Sequence, residues 1–203
     1  MDNYADRMFQ NAVAELQKQD GSYDKYQAFY PHRTQDELSK DDIAYIQARE
    51  SFYIASVNSD GWPYIQHRGG AVGFIKVLGP TQLACADYPG NRQFITMGHL
   101  QTEAKVSLFF MDYLNHARLK IQGRARLVKA ADVDPMILES VSDGGPLVER
   151  VLTVDIVAMD WNCPKYIPTL YPEAVIQNVI GPKIGQLEAE NTALRAELAA
   201  LKA

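Results

Sequence analysis

The chain has 203 residues and a mass of 22.7 kDa, the size of one domain with terminal extensions rather than two full domains. Hydrophobic content of 47%, charged content of 22% and a net charge of -5 exclude a collagen-like repeat and general disorder, and leave no overall positive field for non-specific nucleic-acid binding. No apolar run reaches membrane-spanning length, the opening MDNYADRMFQ lacks signal-peptide character, and the two cysteines have neither zinc-like spacing nor a disulfide framework, so the expected compartment is the cytoplasm.

Tyr4, Met8, Ala12 and Leu16 recur every four residues with Phe9 and Val13 beside them, which predicts one amphipathic helix ending near Gly21. Ser39 and Asp42 have capping-box spacing ahead of Ile43 and Ile46, so a second helix is expected to start at Ser39. From Ser51 the pattern turns to β, through SFYIASV, PYIQH, GFIKVLG, TQLACA, KVSLFFM and RLKIQGRARLV, with VLTVDIVAM as a last strand. Short turns such as Asp60-Gly61 and Gly79-Pro80 favour antiparallel pairing closed as a barrel, so the expected fold is mainly β with peripheral helices. After Pro89-Gly90 a short helix from Arg92 to His99, capped by Asn91, is predicted, and a further helix from Asp132 to Val141 tolerates Pro135 in its first turn. Gly123, inside the longest strand, marks a bulge or a close backbone approach.

The tail carries a heptad. With Ile184, Asn191 and Leu198 at a, the d positions are Ile180, Leu187, Leu194 and Leu201. Each g residue then meets an opposite charge at e′ five positions on: Lys183 with Glu188, Glu190 with Arg195, and Glu197 with Lys202. A parallel dimeric coiled coil is expected, the alternative being a lone helix docked on its own domain. The expected domains are a helical extension over residues 1–48, a barrel over 49–172 and the C-terminal helix over 173–203.

His32, His67, His99 and His116 are scattered without an i,i+4 pair, and neither G-x-S-x-G nor a P-loop occurs. The remaining polar candidates are Arg68, Lys76 and the run Asn91-Arg92-Gln93. An Arg in the first turn of a helix opposes the helix dipole unless an anion sits there, and a bound phosphate would resolve the conflict. The other reading of Arg92 is a solvated side chain paired with Asp87 or Glu103. The strand Arg118 to Val128 places Leu119, Ile121, Ala125 and Leu127 on one face and Arg118, Lys120, Gln122, Arg124 and Arg126 on the other, a basic face that is either solvated or part of an anion site.

In their order, HRGG, GFIKV, ADYPGNRQF, KVSLFFMDY, RLKIQGRARLV and DWNCPKYI resemble the pyridoxamine 5′-phosphate oxidase-like family of FMN-binding split β-barrels. The resemblance implies an FMN cofactor at the interface of a homodimer. It sets Lys76 beside the flavin and Asn91 and Arg92 on the phosphate, with Gln93 where the family carries a Lys and Arg118 where the oxidases carry a Gln. The family's phosphate Arg falls at Ala71, leaving Arg68 to substitute from another register. His67 next to it is a candidate cofactor contact or a structural histidine. The partner subunit's Trp161 and Asn162 would approach the ring, or WNCP is simply a strand end with a packed Trp. The Arg-x-His element by which the oxidases hold substrate phosphate is replaced by WNCPKYIPTLYPE, so pyridoxamine phosphate oxidation itself is not implied. The expectation is a cytoplasmic homodimeric FMN oxidoreductase of open substrate, taking electrons from a nicotinamide cofactor or another donor, with no nucleic-acid, membrane or metal partner and no assigned catalytic residue. Two alternatives stand beside it: a flavin-binding or sensing dimer without turnover, and a haem-binding barrel using His67, His99 or His116 as axial ligand.

Overall fold

A computed structural model describes residues 3–30, 37–161 and 163–201. The chain divides into two compact units, Met1–Asp112 with Arg118–Cys163, and Tyr113–Ala117 with Pro164–Ala203.

Seven strands form one antiparallel sheet: β1 (Ser51–Val57), β2 (Pro63–Gly69), β3 (Lys76–Gly79), β4 (Gln82–Asp87), β5 (Lys105–Asp112), β6 (Ala117–Lys129) and β7 (Arg150–Trp161). Their order is β2-β1-β5-β6-β7-β4-β3, an antiparallel split barrel with peripheral helices. Alternation decides which side chains face inward: Phe52 and Ile54 of β1, Leu108 and Phe110 of β5, and Leu119 and Ile121 of β6 are all 2% exposed or less. Each such side chain stabilises the fold by roughly 1.5–3 kcal/mol. The β1–β2 hairpin is set by its turn, where Asn58 Oδ1 accepts from the backbone N–H of Asp60 at 3.1 Å and of Trp62 at 2.8 Å. That turn fixes the register from Ser51 opposite Gly69 to Val57 opposite Pro63.

Between β6 and β7 the register shifts after Gln122, whose partner is Ala158, to Gly123, whose partner is Ile156. Val157 is the extra residue of a bulge on β7. The bulge reverses the inward parity of β7: Val154 and Ile156 enter the main core, whereas Ala158 lies in a separate cluster with Tyr4 and Tyr30. Asp160 on that same side accepts from the Tyr30 hydroxyl at 2.9 Å and pairs with Lys120 at 2.9 Å.

The N-terminal periodicity yields two helices instead of one, α1 (Tyr4–Met8) and α2 (Ala12–Asp20), and a third, α3 (Tyr23–Phe29), follows beyond Gly21 where no helix was expected. The break falls where Asn11 takes a left-handed φ of 50°, tolerable for Asn. Tyr4 is buried and Phe9 packs against Tyr4, Tyr26 and Tyr30, whereas Leu16 remains 63% exposed. The apolar stripe is thus buried only at its start, and nothing holds the two halves collinear. Gly21, at φ 78°, ends α2.

α4 (Lys40–Gln47) starts at Ser39 with the reciprocal capping box to Asp42, and Ile46 is its fully buried anchor. α5 (Ile95–Thr102) begins three residues later than expected, and α6 (Pro135–Val141) carries Pro135 in its first turn with Asp134 capping the Met136 N–H at 2.8 Å. In the second unit His116 Nε2 and Thr169 Oγ1 lie 2.7 Å apart. That unit ends in α7 (Glu173–Leu201), 29 residues continuous through Pro182. No helix is long and apolar enough to cross a membrane among the described residues.

Candidate functional site

Three elements of the first unit converge on one cleft. β2 alternates so that Tyr64, Gln66 and Arg68 are half-buried while Ile65 and His67 are exposed. β4 ends in Cys85, Ala86 and Asp87, and β7 begins at Arg150, directly opposite Asp87 in the ladder. The loop Tyr88–Phe94 and the start of α5 close the remaining side. The cleft measures about 380 Å³ and is bordered by Arg68, Asp87, Arg92, Glu149 and Arg150, with Phe74 and Leu127 as apolar lining. That volume falls within the ordinary range of small-molecule sites, ~300–1,000 Å³.

Its electrostatics follow from one buried carboxylate. Asp87 Oδ1 accepts from Arg68 Nη1, and Asp87 Oδ2 accepts from Arg150 Nε at 2.7 Å. Arg150 Nη2 reaches Glu149 at 2.8 Å, and the exposed Arg92 reaches the same carboxylate at 3.4 Å. Three guanidiniums thus face two carboxylates, leaving a net positive charge. Burial works against the charged form of Arg150, but the hydrogen bonds and charges of Asp87 and Glu149 outweigh it and raise its pKa above the ordinary value. Arg68 Nε is buried without a hydrogen-bond partner, an unsatisfied donor in a region where buried polar groups are normally paired. The Arg150 guanidinium also lies 5.7 Å from the centre of the Phe94 ring, within cation–π range.

The loop that carries Arg92 is strained. Arg92 and Phe94 both take left-handed φ values, 57° and 55°, and Asn91 Oδ1 accepts from the Gln93 N–H at 3.1 Å in a local turn. Asn91 therefore shapes the loop and does not cap a helix. The residue at the start of α5 is Phe94, and no side-chain hydrogen bond caps it, so the helix presents its first N–H groups at the cleft, the arrangement that favours an anion. Arg92 precedes the helix, and the dipole conflict expected of a first-turn Arg does not arise. Non-glycine residues held in this backbone region cost about 1–3 kcal/mol each and cluster where geometry serves binding.

Of the residues singled out in the sequence, His67, Arg68, Asn91, Arg92 and Gln93 border this cleft. Lys76, Arg118 and Trp161 do not. Lys76 sits opposite Ala84 on β3 and adds its charge to the Gly145 N–H and Tyr88 hydroxyl that together hold the Asp143 carboxyl below its ordinary pKa. Arg118 donates to the Cys163 carbonyl at 3.1 Å, and its Nε is buried without a partner. Trp161 donates to Asp42 at 2.8 Å and meets the Tyr45 ring edge-on at 4.5 Å, which ties the end of β7 to the capping box of α4. Asn162 lies outside the described residues. The basic outer face of β6 is spent on cross-strand pairs, Lys120 with Asp160 and Arg126 with Asp155 at 3.0 Å. His99 lies 2.9 Å from the buried Ser56 hydroxyl, and among the described residues no cluster of three His, Cys, Asp or Glu could hold a metal ion. Cys85 borders the cleft but burial pushes its thiol up to about 12 against the opposing effect of Arg68, so it is a poor nucleophile.

Arg150 and Glu149 escaped sequence reasoning. Their only sequence signal is a charged pair just before an apolar strand, and the pairing of Asp87 with Arg150 depends on a ladder between segments 63 residues apart.

The family model described as pyridoxamine 5′-phosphate oxidase matches residues 40–150, a little over half of the chain. No curated protein matches. Among solved structures, a HupZ variant from Group A Streptococcus aligns with a TM-score of 0.50 at 12% identity, covering 62% of this chain and 99% of that one. A candidate pyridoxamine 5′-phosphate oxidase from Lactobacillus delbrueckii gives 0.49 at 16% identity over 63% of this chain and 97% of its own. A corresponding protein from Listeria innocua gives 0.42 at 18%, over 61% and 95%. The family match spans more than half of the chain and takes in β2, β4 and the loop of the cleft, ending at the first residue of β7: this chain belongs to the pyridoxamine 5′-phosphate oxidase family.

Proposed function

We propose that this protein is an FMN-binding flavoprotein that acts as an oxidoreductase, in a homodimer, with the FMN phosphate held at the arginine end of the cleft. The observation that carries the reading is the gathering of Arg68, Arg92 and Arg150 against only Asp87 and Glu149, in a cleft with more cations than anions. A phosphate dianion answers that excess of positive charge, and Arg forks match its oxygens. The uncapped start of α5 adds backbone donors. Phe74 and Leu127 give the apolar lining that a planar ring system needs. When bound, a flavin supplies hydride and single-electron transfer. The chain's own part is to bind and orient: Asp87 locks Arg68 and Arg150 in place from both sides, and Asn91 sets the loop that presents Arg92.

Absorbance of the purified protein, with the released chromophore identified by mass, tests the reading directly, and a flavin spectrum is expected. Reduction by a nicotinamide cofactor followed by reoxidation separates an enzyme from a silent binder. Arg92→Gln removes a charged donor without touching the buried pairs, and it should weaken FMN binding by about 1.5–3 kcal/mol in a fluorescence titration. Unchanged affinity would refute the phosphate assignment.

A further inference from the structure

We propose that α7 pairs, parallel and in register, with the same helix of a second copy of this chain. The proposal stands apart from the flavin reading. The helix runs unbroken from Glu173 to Leu201 and buries none of its residues. Ile180, Ile184, Leu187, Leu194, Leu198 and Leu201 follow the a/d spacing along one stripe, and each is 47–80% exposed. Six large apolar side chains along one helix face need a cover, and helices in proteins draw most of their stability from packing such a face.

A second copy is the occupant whose chemistry matches the flanks. In this frame Lys183 and Glu190 stand at g, and Glu188 and Arg195 at e, so each g residue of one helix meets an opposite charge at e′ of an identical helix. Lys202, which completes the third pair in the sequence, lies outside the described residues. Asn191 sets the orientation. In a parallel pair a faces a′, and the two Asn191 amides bond to each other; in an antiparallel pair a faces d′, and Asn191 would be buried against leucine with its amide unsatisfied. Pro182 interrupts the heptad at f, the position farthest from the seam, so its ring does not obstruct a partner.

The test is a disulfide trap in the full chain carrying Cys163→Ser, the remaining Cys85 being buried. Leu194→Cys places thiols at d and d′, and under mild oxidation it should convert to a covalent dimer. Ala189→Cys, on the outer f position, should not. No crosslink at 194, or equal crosslinking at both sites, overturns the proposal, whether the cause is an antiparallel pair or a helix folded back on its own chain. A covalent dimer that assembles in threes by light scattering also overturns it. Arg195→Glu sets like charges across the seam and should lower the yield at 194 severalfold, and adding Glu190→Lys should restore it; failure of that restoration refutes the register. Flavin content is read on the same samples, so loss of cofactor and loss of pairing are separate results.

Discussion

Asp87 holds two guanidiniums at once in a place with little water: the carboxylate is 11% exposed, and Arg68 and Arg150 are 14% and 17% exposed. A buried ion group of this kind adds little net stability as a whole, yet removing one member is expensive because the others lose their counter-charge. Asp87→Asn should therefore destabilise the fold by roughly 3–5 kcal/mol in urea unfolding, far beyond the loss of a single neutral hydrogen bond. A change within 1 kcal/mol would mean that the two arginines are held by something else. At this scale the sequence was half legible. Arg68 and Arg92 stand beside turn residues and read as candidate anion ligands, whereas Arg150 looks like any charged residue preceding a strand. It becomes part of the site only because β4 and β7 pair in one register.

The elements show how small backbone choices place those residues. Gly123 is where β6 passes the bulge on β7; a Cβ there would stand 2.6 Å from Val154 Cγ1 and 2.9 Å from the Asp155 carbonyl oxygen. One of those neighbours is backbone and cannot turn away. Gly123→Ala should cost about 1–3 kcal/mol by overpacking, seen as a lower melting temperature, and an unchanged melting curve would show that β7 shifts freely. Sequence alternation located β6 and marked Gly123, but it could not say that the extra residue is Val157 on the opposite strand. The start of α5 shows the converse. Asn91 has the composition of a helix cap, yet it bonds the Gln93 N–H two residues on, and two left-handed residues delay the helix to Ile95. Cap-forming and turn-forming chemistry are the same for Asn, so local sequence cannot separate them.

Across the molecule, burial of acidic protons shapes stability toward alkali. Burial raises the Cys85 thiol from 9.0 to about 12 and the Tyr45 phenol from 10.0 to about 12, the latter opposed by Arg49. Between the unfolded and folded values the unfolded chain holds fewer protons, so stability falls as pH rises. It is fully present below about pH 9 and is lost progressively toward pH 12. Each group contributes a slope of up to roughly 1.4 kcal/mol per pH unit in that window. Urea midpoints should drop between about pH 8 and about pH 11, and the drop should be smaller in Cys85→Ala; a flat profile would contradict the burial of both groups.

What the sequence by itself determined was the order of the strands and the start of α4: the strands alternate, Ser39 and Asp42 form their capping box, and the tail is helical along its heptad, because each of these patterns is written within a few residues. Tertiary structure alone decided which cations share a cleft. It set Arg150 across from Asp87, left Arg68 Nε unpaired, and placed Lys76 and Arg118 outside the lining of the cleft within one chain. The physical reason is that side-chain periodicity specifies the face of a strand, whereas a site is made of faces from different strands. Their meeting depends on register, on a bulge at Val157 and on a strained loop, all settled by packing between segments far apart in the chain.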